Sequence, residues 1–297
     1  MQKKTLTIGI LAHVDAGKTS LTECLLYTAG ATKNRGSVDK GSAITDGLAM
    51  EKNRGISIKT ATVDFVWQDT KINIVDTPGH IDFSAEVDRA LAVLDMAILV
   101  ISAVEGVQAH TLNLWESIRE RQLPVLVFVN KIDRAGADLE HVFKDFEKDL
   151  GATLFALNYG DISEPDQPKV IDFKNSQPYL ETVILDKSFE NLAELNEDFL
   201  EAYLEGNTGN LSTIYQKAVT QIQAQQLVGV LFGSAKMDLG IEVLLNTMTT
   251  LFTAKVIEAH ESVAKVFKVE YDAKLGRLAH ARLYSGHLKN KDTIWSQ

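Results

Sequence analysis

The chain has 297 residues, of which 45% are hydrophobic and 24% are charged, and its formal net charge is −10. These values are typical of a globular protein with a substantial core, and the length suggests about two domains. A charge this negative repels nucleic acid phosphates, so it argues against DNA binding and restricts RNA contact to a local patch or to parts outside this chain.

The only cysteine is Cys24, so the chain has no internal disulfide. It lies between Leu21 and Leu25 in a helical pattern, which favours a small core residue over a nucleophile. No apolar run reaches the roughly 18 to 20 residues of a membrane span, and the N-terminal apolar segment is too short for a signal peptide. We therefore expect a cytoplasmic monomer without membrane contact.

Apolar strand patterns alternate with amphipathic helical patterns along most of the chain. The predicted strands span residues 5–11, 60–67, 72–76, 96–102, 124–130 and 228–232. The predicted helices span residues 18–29, 83–94, 111–121, 139–150, 211–226 and 241–253. Several strands are continuously apolar, as strands buried on both faces are. The alternation predicts an α/β fold with a mostly parallel sheet between layers of helices.

Three segments depart from this alternation. Residues 30–59 are rich in Gly, Ser and Lys, and so long a connection is typical of a functional or disordered segment. Residues 152–210 are acidic and contain three prolines, which predicts an inserted segment with a strand or two and a helix near 196–204. Beyond about residue 261, the alternating patterns KVFKVEYD and LAHARLYSGHL predict an antiparallel hairpin.

The stretch LAHVDAGKTS, residues 11–20, lies between the first predicted strand and the first predicted helix. It fits the phosphate-loop pattern G-x-x-x-x-G-K-[ST] except at Ala12, where alanine is tolerable if the backbone needs no positive φ. Gly17 permits a tight turn, Lys18 would reach the β- and γ-phosphates, and the Thr19 hydroxyl would bind Mg2+. The predicted nucleotide-binding residues of this loop are Asp15, Ala16, Gly17, Lys18, Thr19 and Ser20. The alternative is an ordinary strand-to-helix turn that contains glycine.

The segment INIVDTPGH follows at the end of another apolar strand. A carboxylate at that strand tip, Asp76, would hold Mg2+ through water. Gly79 would let its backbone N–H approach a γ-phosphate, and His80 would lie close to the attacking water. A plain strand-end turn is the alternative interpretation.

The segment VNKID, again at a strand end, indicates which base is bound. The carboxylate of Asp133 would accept hydrogen bonds from guanine N1–H and its 2-amino group, whereas adenine has neither donor there. Lys131 would lay its aliphatic stem over the base, and Asn130 would tie the loops together. In the later segment GSAK, the backbone of Ser234, Ala235 and Lys236 would meet guanine O6. Together these motifs predict GTP or GDP bound with Mg2+.

The segments AHVDAGKTSLTE, RGISI, DTPGHIDFSAEVDRAL and NKIDRAGADL resemble the translational GTPases. They are most similar to the ribosomal protection proteins of tetracycline resistance, and next to elongation factor G. The resemblance implies a P-loop NTPase G domain over residues 1–258, with an acidic inserted subdomain at about 152–210. Residues 262–297 would be the truncated start of an antiparallel β-barrel domain. The family commonly has alanine at the position of Ala12.

The resemblance also implies an activity, namely ribosome-stimulated GTP hydrolysis, together with GTP-dependent binding to the ribosome and release of tetracycline. His80 would be catalytic, positioning the hydrolytic water when large-subunit ribosomal RNA holds it. Lys18 would act on the phosphates, and Asp15 would balance charge in the transition state. Val14 and Ile56 match an apolar gate beside the histidine.

One position departs from the family pattern, because the first switch has Ser57 where the family has threonine. Serine keeps the hydroxyl, so we interpret Thr19, Ser57 and Asp76 as the residues at the metal, with a looser switch in the GTP state. The alternative is a weaker GTPase. Two other functions stay open at this point: translocation of the elongation factor G type, and a GTP- or GDP-binding module without productive hydrolysis.

Overall fold

The computed structural model describes residues 4–36, 61–77, 84–164, 167–173, 182–205, 210–254, 262–272 and 275–293. The strands are β1 Lys4–Ala12, β2 Ala61–Trp67, β3 Thr70–Asp76, β4 Met96–Ser102, β5 Val125–Asn130, β6 Leu154–Ala156, β7 Asn158–Asp161, β8 Lys169–Asp172, β9 Val228–Phe232, β10 Val263–Asp272 and β11 Gly276–Ser285. The helices are α1 Lys18–Thr28, α2 Ser84–Leu91, α3 Ala109–Glu120, α4 Leu139–Leu150, α5 Val183–Ala193, α6 Glu197–Leu204, α7 Leu211–Gln223 and α8 Ile241–Leu251. The predicted residues Ile56, Ser57, Gly79 and His80 lie outside the described ranges.

The main sheet has seven strands in the order β2-β3-β1-β4-β5-β9-β6. Among the strands that the structure describes, only β2 and β3 pair antiparallel in this sheet, and the other neighbouring strands are parallel. Every residue of β4 is buried. Because successive strand side chains point to opposite faces, complete burial means that both faces of the sheet are covered. The α/β class and the mostly parallel sheet are therefore confirmed.

Several helices end earlier than the apolar pattern suggested, for local backbone reasons, whereas α4 ends at residue 150 as predicted. Helix α7 ends at Gln223, short of the predicted residue 226, and Gln225 adopts a left-handed conformation with φ of 58°. Helix α8 ends at Leu251 because Phe252 is extended. Apolar side chains beyond a helix end still pack on the core, so periodicity alone overestimates helix length.

The segment at 152–210 contains more regular structure than we expected. Strand β6 pairs parallel with β9 and forms the edge of the main sheet. Helix α5 lies between β8 and the predicted helix near 196–204, which the structure contains as α6. Phe155 of β6, Phe173 and Phe189 of α5 pack together with ring centroids 5.6 to 6.4 Å apart. This aromatic cluster joins the acidic segment to the main sheet.

The hairpin of β10 and β11 is antiparallel, as predicted, and Arg282 is one of the residues that join it to the main domain. Arg282 Nη2 lies 2.6 Å from Asp95 Oδ1, and Arg282 Nη1 donates to the carbonyl of Val93. Asp95 is buried and also accepts a hydrogen bond from the backbone N–H of Thr7 at 2.8 Å. The residues after α2 and the start of β1 are thereby tied to the hairpin. In the described ranges, no helix has the length and apolarity needed to cross a bilayer.

Candidate functional site

The predicted motif residues meet at one edge of the main sheet. Strand β1 pairs with β3 so that Ile10 lies opposite Asp76, and β4 pairs with β5 so that Ser102 lies opposite Asn130. Because these strands are parallel, their carboxyl ends share one edge. From β1, the sheet continues to β3 and β2 on one side and to β4 and β5 on the other side. Such a topological switch point forms the crevice in which open α/β sheets bind ligands.

The loop between β1 and α1 has the backbone of an anion cradle. Asp15 and Gly17 are left-handed, with φ of 64° and 97°. A Cβ on Gly17 would lie 2.3 Å from Asn130 Nδ2, so only glycine fits there. The N-cap residue of α1 is Gly17, which has no side chain to occupy the first N–H groups of the helix, and such groups bind phosphate oxygens. Ala12 lies within β1, where no positive φ is needed.

A buried ion pair lies beneath this loop. The Lys18 ammonium donates a hydrogen bond to Asp76 Oδ1, with Lys18 8% exposed and Asp76 fully buried. Among the described residues, no group donates to the other carboxylate oxygen, Asp76 Oδ2. A buried carboxylate oxygen without a donor is unfavourable, and a hard cation or its water would satisfy it. The half-buried Thr19 follows Lys18 on α1, so these residues fit Mg2+.

Asn130, at the end of β5, joins the phosphate loop to the loop after β9. Its Nδ2 donates to the carbonyl of Ala16 at 2.9 Å, and its Oδ1 accepts from the N–H of Ala235 at 2.9 Å. The side chain is 2% exposed, so both bonds are shielded from water. The amide thus fixes the spacing between the two loops that would hold the two ends of a nucleotide.

The carboxylate of Asp133 is oriented by a serine that sequence reasoning had assigned only a backbone role. Ser234 Oγ donates to Asp133 Oδ1 at 2.6 Å and accepts from the N–H of Met237 at 3.2 Å. Asp133 is half-buried. Lys131 is left-handed with φ of 65°, and its ammonium lies 4.0 Å from Glu105 Oε2.

The structure therefore brings together residues 15–19, Asp76, Asn130, Asp133 and Ser234 at one crevice. Asp15 is exposed and Ser20 is half-buried. Ser57, Gly79 and His80 lie outside the described residues, so their roles stay predictions.

Sequence reasoning missed a second network beside this crevice. Arg35 contacts both the carbonyl of Lys236 and Asp238, and Cys24 donates to Asp238 Oδ1 at 2.9 Å. No motif indicated these contacts, since Arg35 lies in a segment without periodicity. Burial, reinforced by the hydrogen bond to Asp238, raises the pKa of the Cys24 thiol to about 12. The thiol therefore stays protonated, in keeping with a core residue rather than a nucleophile.

The sequence of this chain is similar to a known protein family and to known proteins. The model of the elongation factor Tu GTP binding domain matches residues 3–254. Tetracycline resistance protein TetM from transposon Tn5251 of Streptococcus pneumoniae is 43% identical over 292 residues, and tetracycline resistance protein TetO of Streptococcus mutans is 40% identical over 292 residues. Each alignment covers 98% of this chain and 44% of the relative.

A solved structure of a protein from Thermus thermophilus is also similar. It superposes with a TM-score of 0.82 at 27% sequence identity, covering 98% of this chain and 47% of that chain. The chain thus spans less than half the length of the proteins that it matches.

Proposed function

The chain belongs to the elongation factor Tu GTP-binding domain family of translational GTPases, and on that premise we propose that it acts in ribosomal protection against tetracycline. For nucleotide binding, the proposal is supported by the continuous link from the phosphate loop through Asn130 to residues 233–238. We use "base loop" for residues 233–238. The tetracycline resistance relatives favour protection over translocation of the elongation factor G type.

Guanine selection is assigned to Asp133. With its Oδ1 held by the Ser234 hydroxyl, the carboxylate would accept from guanine N1–H and the 2-amino group. Adenine would leave that carboxylate unpaired, which is a strong basis for rejection. Backbone N–H groups of the base loop would meet guanine O6, and the Lys131 stem would cover the ring.

Phosphate binding is assigned to the loop N–H groups of residues 15–19 and to Lys18. In the nucleotide complex the Lys18 ammonium would exchange its bond with Asp76 for the β- and γ-phosphates. Asp76 would then bind a metal-bound water, with Thr19 and Ser57 hydroxyls as direct ligands. Mg2+, when bound, neutralises charge on the phosphates.

Hydrolysis is assigned to positioning rather than covalent chemistry. His80 would orient the water that attacks the γ-phosphorus, while the bond to the β-phosphate oxygen breaks. The N–H of Gly79 and the carboxylate of Asp15 would help to arrange the γ-phosphate and the local charge. The ribosome's large-subunit RNA would hold His80 in place, so turnover in its absence would be slow.

The test is the substitution His80→Ala in the whole protein, with GTP turnover measured with and without ribosomes. We expect GDP affinity to stay unchanged and ribosome-stimulated turnover to fall by about 100-fold or more. His141→Ala is a matched control, because that histidine is 67% exposed on α4. Loss of GDP binding in His80→Ala, or no stimulation of the unsubstituted protein by ribosomes, would contradict the proposal.

Ser57 favours one alternative, a module that binds GTP or GDP without productive hydrolysis. Release of labelled tetracycline from ribosomes on addition of the protein and GTP discriminates the two functions. Protection predicts release with GTP and none with GDP, whereas a binding module predicts no release with either nucleotide.

A further inference from the structure

We propose that Arg35 is a positioning residue for guanine recognition, acting through the base loop on the carboxylate of Asp133. The inference rests on the proposed guanine site and adds a residue that no motif includes. Arg35 lies in the connection after α1, far along the chain from the base loop.

The first observation is a double contact from one guanidinium nitrogen. Arg35 Nη1 donates to the carbonyl oxygen of Lys236 at 3.0 Å and to Asp238 Oδ1 at 2.8 Å. The arginine side chain is 24% exposed, so it is largely packed against the loop. The isolated ion pair with the half-exposed Asp238 would contribute little. Arg35 therefore acts on the base loop mainly through its hydrogen bond to the carbonyl of Lys236.

That backbone contact connects to the base-reading carboxylate. The carbonyl of Lys236 and the N–H of Met237 belong to one planar peptide unit. Arg35 holds the oxygen of this unit, and Ser234 Oγ accepts from its N–H at 3.2 Å. The same hydroxyl donates to Asp133 Oδ1 at 2.6 Å. Rotation of the peptide would weaken the bond to Ser234 and release the hydroxyl that orients Asp133.

A second anchor holds the end of the base loop. Asp238 has a left-handed backbone with φ of 59°, a conformation that is uncommon outside glycine, although Asp adopts it more readily than most residues. Its carboxylate accepts from Arg35 and from the thiol of Cys24, which is buried on α1. The turn is therefore held from two sides. One of the two contacts comes from Cys24 on α1, the helix that begins at the phosphate loop.

This arrangement makes a distinctive prediction, because Arg35 would affect recognition of the base and not of the phosphates. Guanine presents a 2-amino group to Asp133, whereas the hypoxanthine base of IDP lacks it. A poorly oriented carboxylate would lose part of the advantage of GDP over IDP. A general loss of structure, or loss of positive charge, would weaken both nucleotides alike.

The experiment measures GDP and IDP dissociation constants by calorimetry in the presence of Mg2+. For Arg35→Met we expect the preference for GDP over IDP to fall by about threefold to tenfold, the worth of one hydrogen bond. Lys33→Met is the matched control, since it removes the same charge from an exposed position in the same connection. It should retain the preference of the unsubstituted chain.

A double-mutant cycle tests whether Arg35 acts on Asp133 through Ser234. Ser234→Ala should lower the preference for GDP by itself, and adding Arg35→Met should lower it no further. Arg35→Gln is expected to behave as Arg35→Met and replaces it in the cycle if the methionine variant does not fold.

An unchanged preference in folded Arg35 variants, an equal loss for both nucleotides, or fully additive effects with Ser234→Ala would overturn the inference. A different result, no preference for GDP in the unsubstituted chain, would contradict the proposed guanine site itself.

Discussion

At the scale of residues, the site depends on polar groups that hold one another in place. Asn130 and the Lys18–Asp76 pair are almost fully buried, so each partner compensates the desolvation of the other. A bound nucleotide would then take the place of protein partners of these groups, and not of water. Preorganised polar groups of this kind bind a matching ligand without large rearrangement.

The role of Asp133 predicts a change of base preference. In Asp133→Asn the amide would donate to the oxygen of xanthine C2, where the carboxylate accepts from the 2-amino group of guanine. We expect GDP affinity to fall by about 100-fold or more and XDP to become the better ligand, both measured by calorimetry. Asp149→Asn, at an exposed position of α4, is the control. Retention of full GDP affinity by Asp133→Asn would refute this role.

Glu270 of β10 predicts a pH dependence in the hairpin. Hydrogen bonds from Lys268 and His280, at 2.8 Å and 2.9 Å, lower the pKa of this carboxyl group from 4.5 to about 2. Its stabilising contribution is therefore complete above pH 4.5 and is lost as the pH falls toward 2. NMR titration of the side-chain carboxyl carbon should give a midpoint near 2.

The Lys268 contact is the main cause of that shift, so Lys268→Met should raise the midpoint toward the ordinary value. Lys265→Met, at an exposed position of the same strand, should leave it unchanged. A midpoint near 4.5 in the unsubstituted chain would show that these contacts are absent in solution.

Individual residues differed in how far the sequence could predict them. Gly17, Lys18 and Asn130 stand in motifs where local chemistry requires the residue type, and the structure places them together. The contact of Arg35 with Asp238 spans 203 positions and joins two segments without a shared pattern. Only the tertiary fold brings such residues together, so no local signal could have predicted it.

At the scale of elements, the strands and helices with a clear hydrophobic period were predicted, whereas β6 and α5 were not located individually. Strand β6 has three residues, too few to show a period. Helix α5 begins with Val183 and Ile184, which favour strands by propensity. Its N-cap was a usable signal, because the Thr182 hydroxyl accepts from the N–H of Leu185 at 3.2 Å.

The junction of hairpin and main domain predicts a stability effect. Arg282→Ala would remove the guanidinium from the buried carboxylate of Asp95 and lower the free energy of unfolding by about 3 kcal/mol. Urea unfolding measures this difference. Arg277→Ala is the control, since that arginine is exposed on the same strand. Equal unfolding midpoints for the two variants would mean that the junction does not stabilise the fold.

At the scale of the whole molecule, the alternation of strands and helices was sufficient to predict the α/β class and the common edge of the motif residues. The docking of the hairpin was not predictable, because its contact joins Arg282 to Asp95 across 187 positions. The overall charge of −10 also says little about the crevice, where the N-terminus of α1 and the Lys18–Asp76 pair set the local electrostatics.

Selection of guanine by this crevice can be measured by competition calorimetry. The chain is loaded with GDP and Mg2+, and either GTP or ATP is titrated into the cell. We predict that GTP displaces GDP, while ATP at the same concentrations does not, because adenine offers Asp133 neither an N1–H nor a 2-amino group. Displacement of GDP by ATP at concentrations comparable to GTP would contradict the account.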